Sequence, residues 1–185
     1  MKIPVVGFDP SLRNWGIASS ELDLTTGILD TPRLSVIAIR EELGKQVRQN
    51  SKDLHISEQL ARSAIAEARK AKAIFVEVPV GSQSARAMAS YGICVGVLGA
   101  VRAEGIPLIE VTPTEVKLAL TGNRNATKED MIDHAIRYYP EANFPRHAGK
   151  ISYAKAEHVA DAIGTIHAGV LTPMFQNLMR LFSEV

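Results

Sequence analysis

The chain has 185 residues, 46% hydrophobic and 22% charged, enough for one compact domain with a real core. Its 21 Lys and Arg against 20 Asp and Glu leave a net charge of +1, which excludes capture of nucleic acid by overall charge, so any DNA contact must come from local basic patches. The lone cysteine, Cys94, excludes a disulfide framework and a Cys-rich zinc site, no apolar run nears the ~20 residues of a membrane span, and Asp9 interrupts the first apolar run where a secretory segment would continue, so a soluble protein of the cytoplasm is expected.

Residues 3–8 read as a buried strand, residues 15–20 as a second strand beyond the turn-like Asp9-Pro10-Ser11, and residues 33–39 as a third. Two tight reversals between them predict an antiparallel meander. A helix follows from about Leu54 to Lys72, with Leu60, Ala61, Ala64, Ile65 and Ala68 on one face. Residues 73–78 are a fourth strand, Ser82 can cap a helix reaching Glu104, Gly105 is placed to end it, and residues 106–111 are a fifth strand. Thr112-Pro113-Thr114-Glu115 and Thr127-Lys128-Glu129-Asp130 are helix-start signals with capping-box spacing. Residues 140–152 read as a loop, about Tyr153 to Ala168 as a helix, and 173–183 as a last helix with Phe175, Leu178, Met179 and Phe182 at helical spacing. This order predicts a single α/β domain over residues 1–185, with a mixed five-stranded sheet, three strands antiparallel and two parallel, flanked by helices.

Three carboxylates stand out because unpaired charges are expensive to desolvate. Asp9 ends the first apolar run, Glu77 ends Ala73-Ile74-Phe75-Val76, and Asp161 sits on the late helix. If the first and fourth strands are neighbours, Asp9 and Glu77 lie side by side. His158 and Asp161, three apart, share a helix face opposite Ala156, Val159, Ala160, Ile163 and Ile166. Each acid alone would read as structural: Asp9 before Pro10 as a turn residue, Glu77 before Val78-Pro79 as the end of a strand. Together they can hold divalent ions, the chemistry of phosphodiester cleavage. Glu157, one position off the stripe, reads as a solvated charge, and Asp133 and Glu110 are set aside.

Gly7-Phe8-Asp9-Pro10-Ser11 with Asn14-Trp15-Gly16-Ile17-Ala18, Phe75-Val76-Glu77, and Ala156-Glu157-His158-Val159-Ala160-Asp161-Ala162-Ile163 resemble, in order, the metal-binding motifs of the RuvC family of Holliday-junction resolvases, in the ribonuclease H-like superfamily. The resemblance runs from about residue 3 to 169, and its divergence is like that of a phage or mobile-element member. It implies a ribonuclease H-like fold and a homodimer that nicks four-way or other branched DNA, using Mg²⁺ with Mn²⁺ able to substitute and no small-molecule cofactor. Asp9, Glu77, His158 and Asp161 would be the metal and catalytic set. Lys117 and Lys128 match basic positions near the scissile phosphate. The family commonly has an aromatic residue three positions after the second acid; this chain has Val80, which implies weak base stacking there and relaxed sequence preference.

Arg146, Lys150 and Lys155, with His147, form an acid-free basic stretch leading into the His158 helix, suited to sequence-independent phosphate contact. Arg124 and Lys128 extend it, and Arg86 can contact a strand near Glu77. Gly92, Gly96 and Gly99 in one helix each cost roughly 1 kcal/mol against alanine. Close packing on the sheet, or on the same helix of a second subunit, would offset that. Two rival readings remain open: a nuclease of the same fold acting on RNA–DNA hybrid, and a junction-binding protein without catalysis. A sugar-kinase-like ATPase also opens on a strand-end aspartate, but its Asp-Gly-rich second phosphate loop has no counterpart in the sequence.

Overall fold

The computed structural model describes residues 1–39, 44 and 46–183, with the side chains of all but 182 and 183. β1 (Lys2–Asp9), β2 (Asn14–Asp23) and β3 (Arg33–Ala38) form the expected antiparallel meander. Ser11 holds its first turn, Oγ accepting the Asn14 N–H at 3.1 Å. After α1 (Gln49–Ala68), β4 (Ala73–Glu77) lies parallel beside β1. α2 (Ala85–Ala103) leads to β5 (Leu108–Val111), parallel beside β4, giving the order β3-β2-β1-β4-β5.

Local chemistry accounts for the boundaries. α1 begins at Gln49, before the predicted Leu54, and ends at Ala68, before Lys72. α2 begins after Ser84, not Ser82, with Ser84 Oγ accepting the Ala87 N–H; Gly105, in the left-handed region at φ +78°, follows its end. α3 (Pro113–Thr121) and α4 (Lys128–Tyr138) both start with complete capping boxes, Thr112 with Glu115 and Thr127 with Asp130. The stretch read as a loop contains a small hairpin, β6 (Arg146–His147) and β7 (Lys150–Ile151). Its turn sets both central residues at positive φ, Ala148 at +49° and Gly149 at +81°, the geometry that matches strand twist. The sequence hides this turn because its first central residue is alanine, not Asn, Asp or Gly. α5 (Tyr153–Val170) and α6 (Pro173–Ser183) complete the chain.

Alternation along β1 sends Val5 to one face of the sheet and Val6 and Phe8 to the other. One face is covered by α1 and α2 through Ile56, Leu60, Ala64, Val97 and Val101. The other is covered by α5, with α3 and α4 outside it, so α5 is buried on more than one side. The predicted apolar stripe Ala156, Val159, Ala160, Ile163 and Ile166 is buried throughout. α5 can lie this close because two strand positions lack a side chain. A Cβ on Gly7 would sit 2.1 Å from the Ala162 carbonyl oxygen, and one on Gly16 2.0 Å from that of His158. Phe175 of α6 packs edge-on against Phe75 at 5.0 Å between ring centres. The side chain of Phe182, expected on the same face, lies outside the described residues.

The glycines of α2 behave otherwise. Gly92, Gly96 and Gly99 face open space, with nothing within 4 Å of a built Cβ, while Cys94, Val97, Leu98 and Val101 make the buried face. Close packing on the sheet is therefore not their reason.

Candidate active site

β1 ends at Asp9 and β4 at Glu77. The parallel ladder runs from Val5 opposite Ala73 to Phe8 opposite Val76, so each acid is the next residue on its strand, at the carboxyl edge of the sheet where open α/β folds place their ligands. Gly16, paired with Asp9 across β1 and β2, is the residue on which the His158 backbone rests. This contact sets the height of α5, and His158 Nδ1 lies 2.7 Å from Asp9 Oδ2. With Asp9 ionised the carboxylate only accepts, so Nδ1 carries the hydrogen and a neutral imidazole keeps its lone pair on Nε2.

The remaining groups register in one another's charge. Burial raises the Asp9 carboxyl above its ordinary value, opposed by the hydrogen bond from His158. Burial, and then the charge of Asp9, push Glu77 to about 7. Burial, then Asp9, Glu77 and Glu157, push Asp161 to about 8. Lys117, half-buried on α3, opposes the rise at both Glu77 and Asp161 through its charge. Lys128 ion-pairs with Glu157, and its charge also bears on Asp9 and Asp161. Glu157 is thus no solvated bystander. It stands four residues before Asp161, a spacing that puts both on one helix stripe and could have identified it. Asp133 and Glu110 stay apart from the cluster: Tyr153 donates to the first, and Arg102 pairs with the second.

Among the described residues no three His, Cys, Asp or Glu side chains close into a ready-made metal cage. The donor set nonetheless fits a hard divalent cation. It is rich in oxygen, partly open, and made of carboxylates that repel one another, and Mg²⁺ takes few protein ligands while keeping several waters and borrowing phosphate oxygens. His158, already turned toward Asp9, is placed to orient that carboxylate as much as to ligate.

These shifts predict an unusual stability profile without metal. Because the folded protein holds protons on Glu77 and Asp161 that the unfolded chain has released, stability falls as pH rises through the window from ordinary carboxylate values to about 7 and about 8. Calorimetric melting in EDTA should show that decline. Added Mg²⁺ should oppose it most at its upper end, and Asp161→Asn should make it shallower.

The basic residues named from the sequence divide. Arg146, His147 and Lys150 lie exposed on the hairpin, Lys155 exposed in the first turn of α5, and Arg124 exposed before α4. Arg146 donates to the Gly149 carbonyl oxygen at 3.1 Å. Arg86 is engaged elsewhere, its guanidinium donating to both oxygens of Asp53 at 2.8 and 2.9 Å and so joining α2 to α1. Val80 is 79% exposed beyond the end of β4. No helix among the described residues is long and apolar enough to cross a membrane.

The chain matches no protein-family model. It is 39% identical over 87 residues to a crossover junction endodeoxyribonuclease RuvC of Anaeromyxobacter dehalogenans (strain 2CP-C), a match covering 43% of this chain. That match spans 46% of the curated relative, about half its length. Among solved structures it is similar to T. thermophilus RuvC in complex with Holliday junction substrate, at TM-score 0.60 and 21% identity over 90% of this chain and 92% of that one. Another structure of Thermus thermophilus RuvC gives TM-score 0.60 and 22% identity over 96% of both chains. At that level of likeness the chain, with its mixed five-stranded sheet flanked by helices, has the ribonuclease H-like fold of the RuvC structures.

Proposed function

We propose that the chain is a metal-dependent endonuclease that nicks four-way DNA junctions, acting as a homodimer in the cytoplasm of a bacterial or phage-infected cell. The observation that carries this reading is the gathering of Asp9, Glu77 and Asp161, from two adjacent strand ends and one helix, into a cluster in which Glu77 feels the charge of Asp9, and Asp161 that of both. Asp9, Glu77 and Asp161, with His158 beside them, would hold Mg²⁺ or Mn²⁺, which when bound supplies Lewis acidity toward the phosphate. His158, oriented through Nδ1, presents Nε2 to take a proton from the attacking water. Lys117, whose charge bears on Glu77 and Asp161, would stabilise charge on the phosphate, and Lys128 would do so once a phosphate competes with Glu157 for its ammonium.

Arg124, Arg146, Lys150 and Lys155 would hold flanking phosphates, a contact that weakens with salt. Arg86 would join them only by giving up Asp53. The exposed glycine face of α2, with Met88 and Val95 beside it, supports a second copy of the chain packing there, which suits a substrate of near two-fold symmetry.

Labelled four-way junction, fork, flap, linear duplex and RNA–DNA hybrid, each incubated with the chain and Mg²⁺, test the proposal on one gel. Paired nicks in the junction, well above cleavage of the others, are the expected result. Preferential cutting of the hybrid, or junction binding with no cleavage, would overturn it.

A further inference from the structure

The acid-bearing face of α5 also carries an exposed aromatic ring. Tyr153, Glu157 and Asp161 follow at intervals of four residues and so share one stripe of the helix. At 1.5 Å per residue Tyr153 stands about 7.5 Å along the axis from His158 and about 12 Å from Asp161, or roughly two to four base steps of a DNA strand at 3.4 Å each. Its side chain is 50% exposed, whereas Phe8, Trp15, Phe75 and Phe175 are buried. Its hydroxyl reaches Asp133 Oδ1 at 3.4 Å, a long bond that holds the tip without burying the ring. Arg146 and Lys150 on the preceding hairpin and Lys155 two residues on are exposed cations, with His147 beside them, and Asp133 and Glu157 are the acids next to the ring. The loop after β4 exposes Val80, an aliphatic side chain with no π face.

We propose that Tyr153 is a stacking platform, on which a nucleobase two to four steps from the scissile phosphate leaves its duplex neighbours and rests. This inference depends on the proposed function and assigns a positioning residue to it. Stacking on an aromatic ring tolerates any base, so the platform would hold the strand without reading its sequence, while the hairpin cations hold its phosphates.

The test uses the full chain in EDTA with four-way junctions carrying 2-aminopurine, in turn, at each of the positions two to four nucleotides from the cut. For the wild type, one position should change fluorescence on binding. Tyr153→Phe should keep that change and the affinity. Tyr153→Ala should lose the change and bind about 10-fold more weakly. Circular dichroism establishes that both variants are folded, which the exposure of the ring leads us to expect. The inference is overturned if Tyr153→Ala keeps both signal and affinity, or if Tyr153→Phe is as damaged as Tyr153→Ala, because the hydroxyl bond to Asp133 would then be what matters. A wild type that does not bind the junction overturns the proposed function itself, a distinct result.

Discussion

Asp9→Asn should reduce junction cleavage on the order of 10³-fold or more while leaving junction affinity in EDTA unchanged. Among the described residues Asp9 is the acid hydrogen-bonded to His158, and it is an electrostatic neighbour of both Glu77 and Asp161. Asparagine keeps the shape and one oxygen but removes the charge that favours a cation, and its amide no longer fixes the imidazole in the same way. The phosphate contacts proposed for the hairpin and for α5 are untouched by the substitution, so binding should persist. Folding should not suffer. Burial disfavours the Asp9 charge, and Asp9 in turn pushes Glu77 and Asp161 upward, so the neutral variant should melt no lower than the wild type in EDTA above neutral pH. Loss of cleavage without loss of stability is the mark of groups gathered for chemistry against the interest of the fold. Cleavage retained in Asp9→Asn would mean that the cluster is not the reaction centre.

Gly16→Ala should have the opposite signature, damaging stability and chemistry together. A Cβ at this position would lie 2.0 Å from the His158 carbonyl oxygen and 2.5 Å from its carbon, and both are backbone atoms that cannot rotate away. Either β2 or the first half of α5 must move, at a cost of about 3 kcal/mol, the upper end for overpacking a core. The movement also draws His158 from Asp9, a contact made at 2.7 Å, so residual cleavage should fall along with the denaturation midpoint. Urea titration and junction cleavage on the same preparation measure both. An alanine accepted there with no change in either would mean that the close approach of α5 does not set the site.

These two residues show how much of the molecule is legible in the sequence. Asp9 is visible because a carboxylate at the end of an apolar strand is costly, and Glu77 and Asp161 are visible for related reasons. The adjacency of Asp9 and Glu77 is legible only on the condition that the chain crosses back through α1 to lay β4 beside β1, and the sheet order meets that condition. Capping boxes fixed the starts of α3 and α4. Gly16 is different. Its motif is readable, but the reason for it, the backbone of His158 at van der Waals limit, is a tertiary fact with no local signal. The pairing of Lys128 with Glu157 has no signal in the stripe of His158 and Asp161, although Glu157 shares a face with Asp161 as well. The hairpin at residues 146–151 is hidden in the sequence because Ala148 gives no warning of a left-handed turn residue. The α2 glycines allowed two explanations, and only the placement of neighbours separates them: their face is open.

Crystals soaked in Mn²⁺ and measured for anomalous scattering test the central claim most directly. Anomalous peaks bounded by Asp9, Glu77 and Asp161 are predicted for the wild type, and their loss for Asp9→Asn. A fully soaked wild-type crystal with Mn²⁺ bound elsewhere and none among these three carboxylates would contradict the account.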